Sequence, residues 1–247
     1  MSNIKIMIEE NYAEMSRKCA EIIKSQMDAK SASVLGLATG STPIGTYEEL
    51  ARLHKSGELC FSQATAFNLD EYFPISKTND QSYAYFMRKN FFDFVNFSDD
   101  KINIPNGEAT DRAEECAAYE AKINAAGGID LQILGIGNNG HIGFNEPGDY
   151  FPVTTHHVEL DESTIQANAR FFANVNEVPR HAITMGIKTI MRAKKIILLA
   201  SGVGKAEILG DAFFGKITPK NPASVLQLHP DVTIITDKDA GRYLELV

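Results

Sequence analysis

The sequence has few cysteines, no tryptophan and no long apolar segment. Its cysteines, Cys19, Cys60 and Cys116, form no C-x-x-C pair and are odd in number, which argues against a disulfide framework or a zinc site and favours a reduced, cytoplasmic setting. No stretch approaches the roughly 20 apolar residues of a spanning helix. The N-terminal stretch MSNIKIMIEENYAEMS has no apolar core of a signal peptide. We therefore expect no membrane partner.

Basic charge is also scarce. The chain has 24 lysines and arginines against 32 aspartates and glutamates, giving a net charge of -8. Because binding to a phosphate backbone needs a basic face, we expect no nucleic-acid partner. A small anionic ligand is still compatible with this charge, since a pocket can be locally basic inside an acidic protein.

Short apolar runs alternate with amphipathic stretches through most of the 247 residues. The pattern predicts strands at 4–8, 33–38, 64–69, 129–136, 181–185, 195–200 and 232–236. It predicts helices at 12–27, 81–94 and 111–125, and one that starts at Thr42-Pro43 with Thr42 as N-cap. This alternation indicates one α/β domain over 1–247, with a mostly parallel sheet and helices on both faces. Between 149 and 178 the pattern is indistinct.

The stretch ILGIGNNGHIGFNEPG, 133–148, contains the G-x-G-x-x-G spelling of a dinucleotide-binding loop. That function needs a helix directly after the glycines and an acidic residue about 20 positions further on. Here further glycines and a proline oppose a long helix, and no such acidic residue follows a strand. We expect the glycines to bring backbone close to another ligand while the loop presents His141 and Glu146. Taken alone, His141 would more simply be a loop histidine without a task.

Two other loops after predicted strands could bind an anion. Gly40, Ser41 and Thr42 lie between a strand and a helix start, where free N–H groups, hydroxyls and the helix dipole favour negative charge. Simple helix capping by Thr42 is the alternative. Lys205 stands at a similar strand-to-helix junction, and Arg170 is placed near the pocket. For both cations, an ordinary solvated surface position is the alternative.

Asp70, with Glu71, ends a predicted strand, where a carboxylate is well placed as a general base, although N-cap and turn aspartates are common. Together with Glu146 and His141 it would form an acid–base set that needs no metal. The same three groups could form a metal site of two carboxylates and one imidazole. The sequence has no H-x-H or H-x-x-x-H spacing that would support metal, so we rank that second and expect no metal or cofactor.

Several stretches taken together resemble the glucosamine-6-phosphate deaminase family, also called glucosamine-6-phosphate isomerases. They are LATGSTPIGTYEEL, FNLDEY, LGIGNNGHIGFNEPG, ANARFF and PASVLQLHPDVT, and they span nearly the whole chain in family order. The resemblance implies an open Rossmann-like sheet with a mobile lid at about 149–178. It also implies a cofactor-free hydrolase or isomerase that converts glucosamine 6-phosphate and water to fructose 6-phosphate and ammonia.

The resemblance also implies roles for individual residues. Asp70 would move a proton between C2 and C1, His141 would assist opening of the pyranose ring, and Glu146 would support that step. The substrate phosphate would lie against the positions matching the family's phosphate site, which are Ser41, Thr42, Arg170 and Lys205.

Two departures from the family pattern stand out. Asn139 replaces the Asp that many members carry beside the ring-opening histidine, and an amide can orient a neighbour but supplies no charge. The stretch GDYFPVTTHHVEL contains no Lys or Arg, whereas some members have there a basic activator site for an amino-sugar phosphate. We therefore expect no allosteric activation of that kind.

Alternatives from the same fold are a galactosamine-6-phosphate deaminase and a 6-phosphogluconolactonase, and the latter would release no ammonia. An alternative from another class is a sugar-phosphate sensor of a bacterial regulator. Such a sensor should carry a DNA-binding helix-turn-helix, whereas this sequence begins directly with its first predicted strand. The oligomeric state is left open.

Overall fold

A parallel sheet of seven strands forms the larger part of the protein. The computed structural model describes residues 4–169, 172 and 174–244. The strands of this sheet are β1 (Ile4–Glu9), β2 (Val34–Leu37), β3 (Thr65–Asn68), β5 (Ile102–Asn103), β6 (Leu131–Leu134), β9 (Lys195–Ala200) and β10 (Val232–Asp237). Their order across the sheet is β1-β10-β9-β6-β2-β3-β5, and neighbouring strands pair in parallel. The predicted α/β class and parallel sheet are confirmed.

Helices connect the strands and pack against the sheet. They are α1 (Tyr12–Ala29), α2 (Ile44–Lys55), α3 (Tyr83–Asn90), α4 (Arg112–Ala125), α5 (Glu162–Asn168), α6 (Ile187–Met191), α7 (Ala206–Phe214) and α8 (Lys238–Gly241). α1 shows why such a segment is helical: the Asn11 side chain caps its first turn by accepting the Glu14 N–H. Its buried face recurs at helical spacing and includes Met15, Cys19, Ala20, Ile23 and Met27. Among the described residues, no helix has the length and apolar character needed to cross a bilayer.

A second, three-stranded sheet lies beside the parallel one. It consists of β4 (Asp70–Phe73), β7 (His156–Glu159) and β8 (His181–Thr184), in the order β4-β8-β7 with antiparallel pairing. A smaller apolar cluster packs here, separate from the main core, and includes Tyr72, Phe144, Leu160, Ile165, Val178 and Ala182. The strand predicted at 181–185 is therefore real, but it does not belong to the parallel sheet.

Three local predictions differ from the structure. The helix predicted over 81–94 is α3 followed by a short 3-10 turn at Phe92–Phe94, with Phe91 between them outside helical geometry. Asp70 does not end a strand: the strand before it ends at Asn68, and Asp70 begins β4. Thr42 is not the N-cap of α2, because the turn closes at Ile44 N–H to Ser41 C=O and Pro43 occupies the cap position.

The segment predicted to form a lid, 149–178, contains β7, α5 and a 3-10 turn at Val175–Glu177. Its mobility stays a prediction, as does the assignment of 1–247 to a single domain. The three cysteines are free thiols, with Cys19 and Cys116 buried and Cys60 exposed. The cytoplasmic setting expected from them also stays a prediction.

Candidate active site

A cavity of about 750 Å³ opens at the carboxyl ends of four neighbouring strands, β9, β6, β2 and β3. The chain leaves all of them at the same edge of the sheet, because neighbouring parallel strands point the same way. The loops that follow line the cavity with, among others, Gly40, Ser41, Thr42, Asp70, Asn139, His141 and Lys205. Residues from loops far apart in sequence are thus brought together, as the strand pattern predicted.

A larger groove, of about 1080 Å³, lies elsewhere, between α4, β7 and α6. Its lining contains Arg112, Lys188 and Arg192 but no residue of the glycine-rich loop (135–148) and none of the predicted catalytic groups. We assign the chemistry to the smaller cavity because candidate acid, base and anion-binding groups meet there.

Asp70 lies at the first position of β4 and is 5% exposed, although it lines the cavity. Burial and the adjacent charge of Glu71 raise its pKa to about 8, and a hydrogen bond from Thr184 acts in the opposite direction. The Glu71 carboxylate itself accepts N–H groups of Tyr72, Tyr83 and Ala84, two of them from the start of α3. Asp70 therefore combines access to the cavity with a proton affinity close to the neutral range, as a general base requires.

His141 and Glu146, which both belong to the glycine-rich loop, form a hydrogen-bonded pair. His141 Nδ1 lies 3.2 Å from Glu146 Oε2, and an ionised carboxylate can only accept, so Nδ1 carries the proton and donates. That tautomer leaves Nε2 as the ring's acceptor. Burial would raise the pKa of Glu146, but its hydrogen bonds with His141, Thr164 and Asn139 outweigh burial and lower that pKa below its usual value. The pair is therefore built to keep Glu146 charged.

Asn139 contacts Glu146 rather than the imidazole ring. Its Nδ2 donates to Glu146 Oε2 at 2.7 Å, and its Oδ1 accepts the backbone N–H of His141 at 3.2 Å. Asn139 thus orients the carboxylate and the backbone of the loop. The expected influence of this position on the histidine ring is indirect and passes through Glu146.

The glycines of this loop have a spatial reason that does not involve a dinucleotide. A Cβ atom at Gly137 would lie 2.3 to 2.4 Å from three atoms of the His141 ring, so only glycine leaves room for the imidazole. Gly140 has φ of 87°, in the left-handed region that favours glycine, and it closes a turn onto Gly137 C=O. No helix follows within 141–150, which fits the rejection of the nucleotide-binding interpretation.

The loop between β2 and α2 supplies the first candidate anion site. Because no side chain caps α2, the alternative that Thr42 serves only as a helix cap is wrong. Thr42 and Ser41 instead line the cavity together with Gly40 and Thr39, close to the start of a twelve-residue helix. The Tyr12 hydroxyl fixes the loop from outside, donating to Ser41 C=O and accepting the Gly45 N–H.

Lys205, at the N-cap of α7, supplies a cation on the other side of the glycine-rich loop. Its Nζ donates to Ile136 C=O at 2.7 Å and to Asn138 Oδ1 at 2.6 Å, and burial lowers its pKa. Among the residues that the structure describes, the amine has two neutral acceptors and no carboxylate partner, which suits exchange for an anionic ligand. Arg170, the other predicted cation, lies outside the described residues.

Several polar cavity residues lacked an assignment from the sequence. Ser201 belongs to the same loop as Lys205 and could have been found there; its hydroxyl donates to Asp237. Thr164, on α5, donates to Glu146 Oε1 and gave no sequence signal. Tyr83 and Asn138 also line the cavity. Within residues 4–169, 172 and 174–244, no group of three or more His, Cys, Asp or Glu side chains is arranged to hold a metal ion.

The chain is similar to known proteins over most of its length. The family model described as glucosamine-6-phosphate isomerases/6-phosphogluconolactonase matches residues 8–235. A glucosamine-6-phosphate deaminase of Thermoanaerobacter pseudethanolicus is 57% identical, over 96% of this chain and 94% of that protein. One from Halothermothrix orenii is 55% identical, over 98% of this chain and all of the other.

Solved structures agree with the fold. A structure described as a monomeric glucosamine-6-phosphate deaminase superposes with a TM-score of 0.94 at 46% identity, over 97% of this chain and 99% of that one. A 6-phosphogluconolactonase from Trypanosoma cruzi superposes with a TM-score of 0.78 at 21% identity, over 99% and 98% of the two chains. The second likeness concerns the fold alone.

Proposed function

The chain belongs to the glucosamine-6-phosphate isomerase/6-phosphogluconolactonase family, and we propose that it converts glucosamine 6-phosphate and water to fructose 6-phosphate and ammonia. The observation that carries this proposal is a buried base, Asp70, facing the same cavity as the His141–Glu146 pair. Aldose–ketose chemistry on a closed sugar needs two separate proton transfers, and the cavity holds two separate groups for them.

Ring opening comes first, because the hydrogen on C2 becomes acidic only when C1 is a free carbonyl. The pyranose opens when the proton of the C1 hydroxyl leaves and the ring oxygen gains one. Nε2 of His141 is the acceptor left free by the hydrogen bond from Nδ1 to Glu146. The Glu146 charge stabilises the imidazolium that forms, and Asn139 and Thr164 hold that carboxylate in place.

The 1,2-shift comes second. The Asp70 carboxylate takes the proton from C2 while the carbonyl oxygen on C1 gains a proton, which leaves an enolamine. Asp70 then returns its proton to C1 as the amino group loses one. The product is an imine at C2, and water replaces it to give the ketone and ammonia. A carboxyl whose pKa is raised to about 8 binds the proton firmly enough to return it. Overall the reaction is an isomerisation followed by a hydrolytic deamination, and no step needs a hydride acceptor or a metal.

The phosphate of the substrate lies remote from the reacting carbons, so its binding can hold them in register. We assign it to the loop at Gly40, Ser41 and Thr42 together with Lys205, and Arg170 remains the family's further candidate. These groups come from loops after β2 and β9, on either side of β6. Hydroxyls, backbone N–H groups near a helix start and one ammonium form a suitable dianion site.

Ammonia release tests the proposal. The protein, dialysed against a chelator, should release ammonia from glucosamine 6-phosphate and form fructose 6-phosphate in equal amounts. Galactosamine 6-phosphate is the control for the C4 epimer, and 6-phosphogluconolactone is the control for the lactonase alternative. Hydrolysis of the lactone without ammonia release from either amino sugar would contradict the proposal. Activity that is lost on dialysis and restored by a divalent ion would contradict its cofactor-free chemistry.

Lys205→Ala should raise KM for the amino-sugar phosphate by about 10-fold or more, because a charge-assisted contact with the phosphate is lost. Lys216→Ala is the matched control, since this exposed lysine lies just beyond the other end of α7 and its loss changes the net charge equally. KM is measured for both variants by steady-state kinetics at the same ionic strength. Equal KM values in the two variants would remove Lys205 from the phosphate site.

A further inference from the structure

Thr184 lies directly opposite Asp70 across two antiparallel strands. The last residue of β8 pairs with the first residue of β4 in the register of the small sheet. Side chains of directly paired residues stand on the same face of the sheet and reach each other. Thr184 has no exposed surface, yet it is a polar residue among the apolar side chains that form the small core. A buried hydroxyl at this position calls for a physical reason.

The surroundings of Thr184 give its hydroxyl a direction. Its oxygen accepts the backbone N–H of Phe144 at 3.1 Å. The hydroxyl has a single proton to donate, and the Asp70 carboxylate, which stands opposite it on the same face of the small sheet, is the neighbouring acceptor whose pKa it lowers. A carboxylate can only accept, so this donor matches the charged form of Asp70 and not its protonated form.

Phe144 belongs to the loop that carries His141 and Glu146. Thr184 therefore connects that loop, through one hydroxyl, to β4, the strand that begins with Asp70. Space at this junction is tight: a Cβ atom added at Gly143 would lie 2.8 Å from Thr184 Oγ1 and 3.4 Å from Asp70 Oδ2. The loop therefore approaches Thr184 at a residue where a side chain would collide with the hydroxyl.

Other ionisable groups also surround Asp70. Those facing it from its own strand, from α3, from α4 and from the glycine-rich loop are Glu71, Tyr72, Tyr83, Tyr119 and His141. Burial and the charge of Glu71 favour the protonated carboxyl, and the Thr184 hydroxyl opposes them. The buried hydroxyl thus counteracts burial and the charge of Glu71, which would otherwise keep the Asp70 carboxyl neutral.

We propose that Thr184 is a positioning residue for the general base, aiming the Asp70 carboxylate and stabilising its charged form while it anchors the ring-opening loop through Phe144 N–H. The kinetic effects expected of this proposal rest on the proposed function. The position of Thr184 beside Asp70 and the pKa of Asp70 are properties of the free protein. The hydroxyl acts through Asp70 and need not touch the substrate.

The decisive comparison is Thr184→Ser against Thr184→Val. Thr184→Val keeps the volume and removes the donor, so kcat should fall by about 10-fold, as expected for loss of one hydrogen bond to a charged group, with a smaller change in KM. The base is active when charged, so kcat/KM falls as the pH drops through its pKa. Because removal of the donor raises that pKa, the acidic limb should move to higher pH. Thr184→Ser keeps the hydroxyl and should retain the native limb.

Two further measurements keep the test independent of folding and of turnover. Thr184→Ala pairs with Thr184→Ser as a second comparison that differs only in the hydroxyl, and thermal unfolding of each variant reports the structural cost. Carbon-13 NMR of the Asp70 carboxyl, titrated in the ligand-free protein, should give a higher pKa in the variants without the hydroxyl. A loss of stability without a shift of this titration, or a serine variant that behaves like the valine variant, would overturn the inference. An unaltered protein that releases no ammonia would instead contradict the proposed function.

Discussion

Asp70→Asn should leave glucosamine 6-phosphate bound but lower kcat by roughly 10²-fold or more, the usual effect of removing a general base. Asparagine keeps the shape of the side chain, and its Oδ1 can accept a hydrogen bond from the Thr184 hydroxyl opposite it. What it lacks is the ability to take a proton from C2. KM should therefore change far less than kcat.

Asp28→Asn is the matched control, because this exposed aspartate on α1 makes a surface ion pair with Lys24 and lies outside the cavity. Surface ion pairs of this kind contribute little to stability, so the control should retain full activity. The native protein should also lose kcat/KM as the pH falls through the raised pKa of Asp70, about 8 in the free protein. Turnover near the native rate in Asp70→Asn would show that another group moves the proton.

His141→Gln should lower deamination of the cyclic substrate by roughly 10²-fold or more, because Nε2 no longer shuttles the ring-opening proton. Glutamine can still donate a hydrogen bond toward Glu146, so the carboxylate is not left without a partner in this region. The loss is therefore attributable to acid–base chemistry more than to collapse of the loop. Initial rates of ammonia release measure it.

A crossed experiment separates the two proton transfers. In deuterium oxide, with fructose 6-phosphate and ammonium, deuterium enters C1 when the base exchanges its proton with solvent. Asp70→Asn should lose this exchange and net deamination together. His141→Gln should retain a larger fraction of exchange than of deamination, since exchange at C1 from the ketose does not require the pyranose ring of the amino sugar to open or close. An equal loss of both activities in His141→Gln would contradict the division of roles.

The parallel sheet was predictable because each of its longer strands is a short apolar run set between helical stretches. β10 and β9, for example, are almost wholly buried, so their composition alone marks them. β4 and β7 were not predicted. β7 has no buried residue and no alternation, and its pairing with β8 joins segments that no local pattern connects. Asp70 was placed at a strand end for the same reason, since DEYF does not show a new strand beginning.

The site was predictable to the extent that it follows strand ends. Asp70, His141, Lys205 and Thr42 all reach one cavity because four neighbouring strands end beside one another. Contacts between side chains were not predictable in this way. That Asn139 contacts Glu146 rather than the imidazole, and that Thr164 reaches Glu146 from α5, depends on how loops fold back over the sheet.

The division of the molecule into two sheets also leads to an expectation about the length of the substrate. The proposed phosphate groups follow strands of the parallel sheet, whereas the base begins the antiparallel one, and Leu69 alone separates β3 from β4. Leu69 is held from both sides, donating its N–H to Leu37 C=O and accepting that of Met185. On the proposed assignment, the span between the phosphate groups and the base is therefore set by the backbone. We expect that a sugar phosphate with a shorter carbon chain does not reach both groups at once, so the protein should discriminate by chain length.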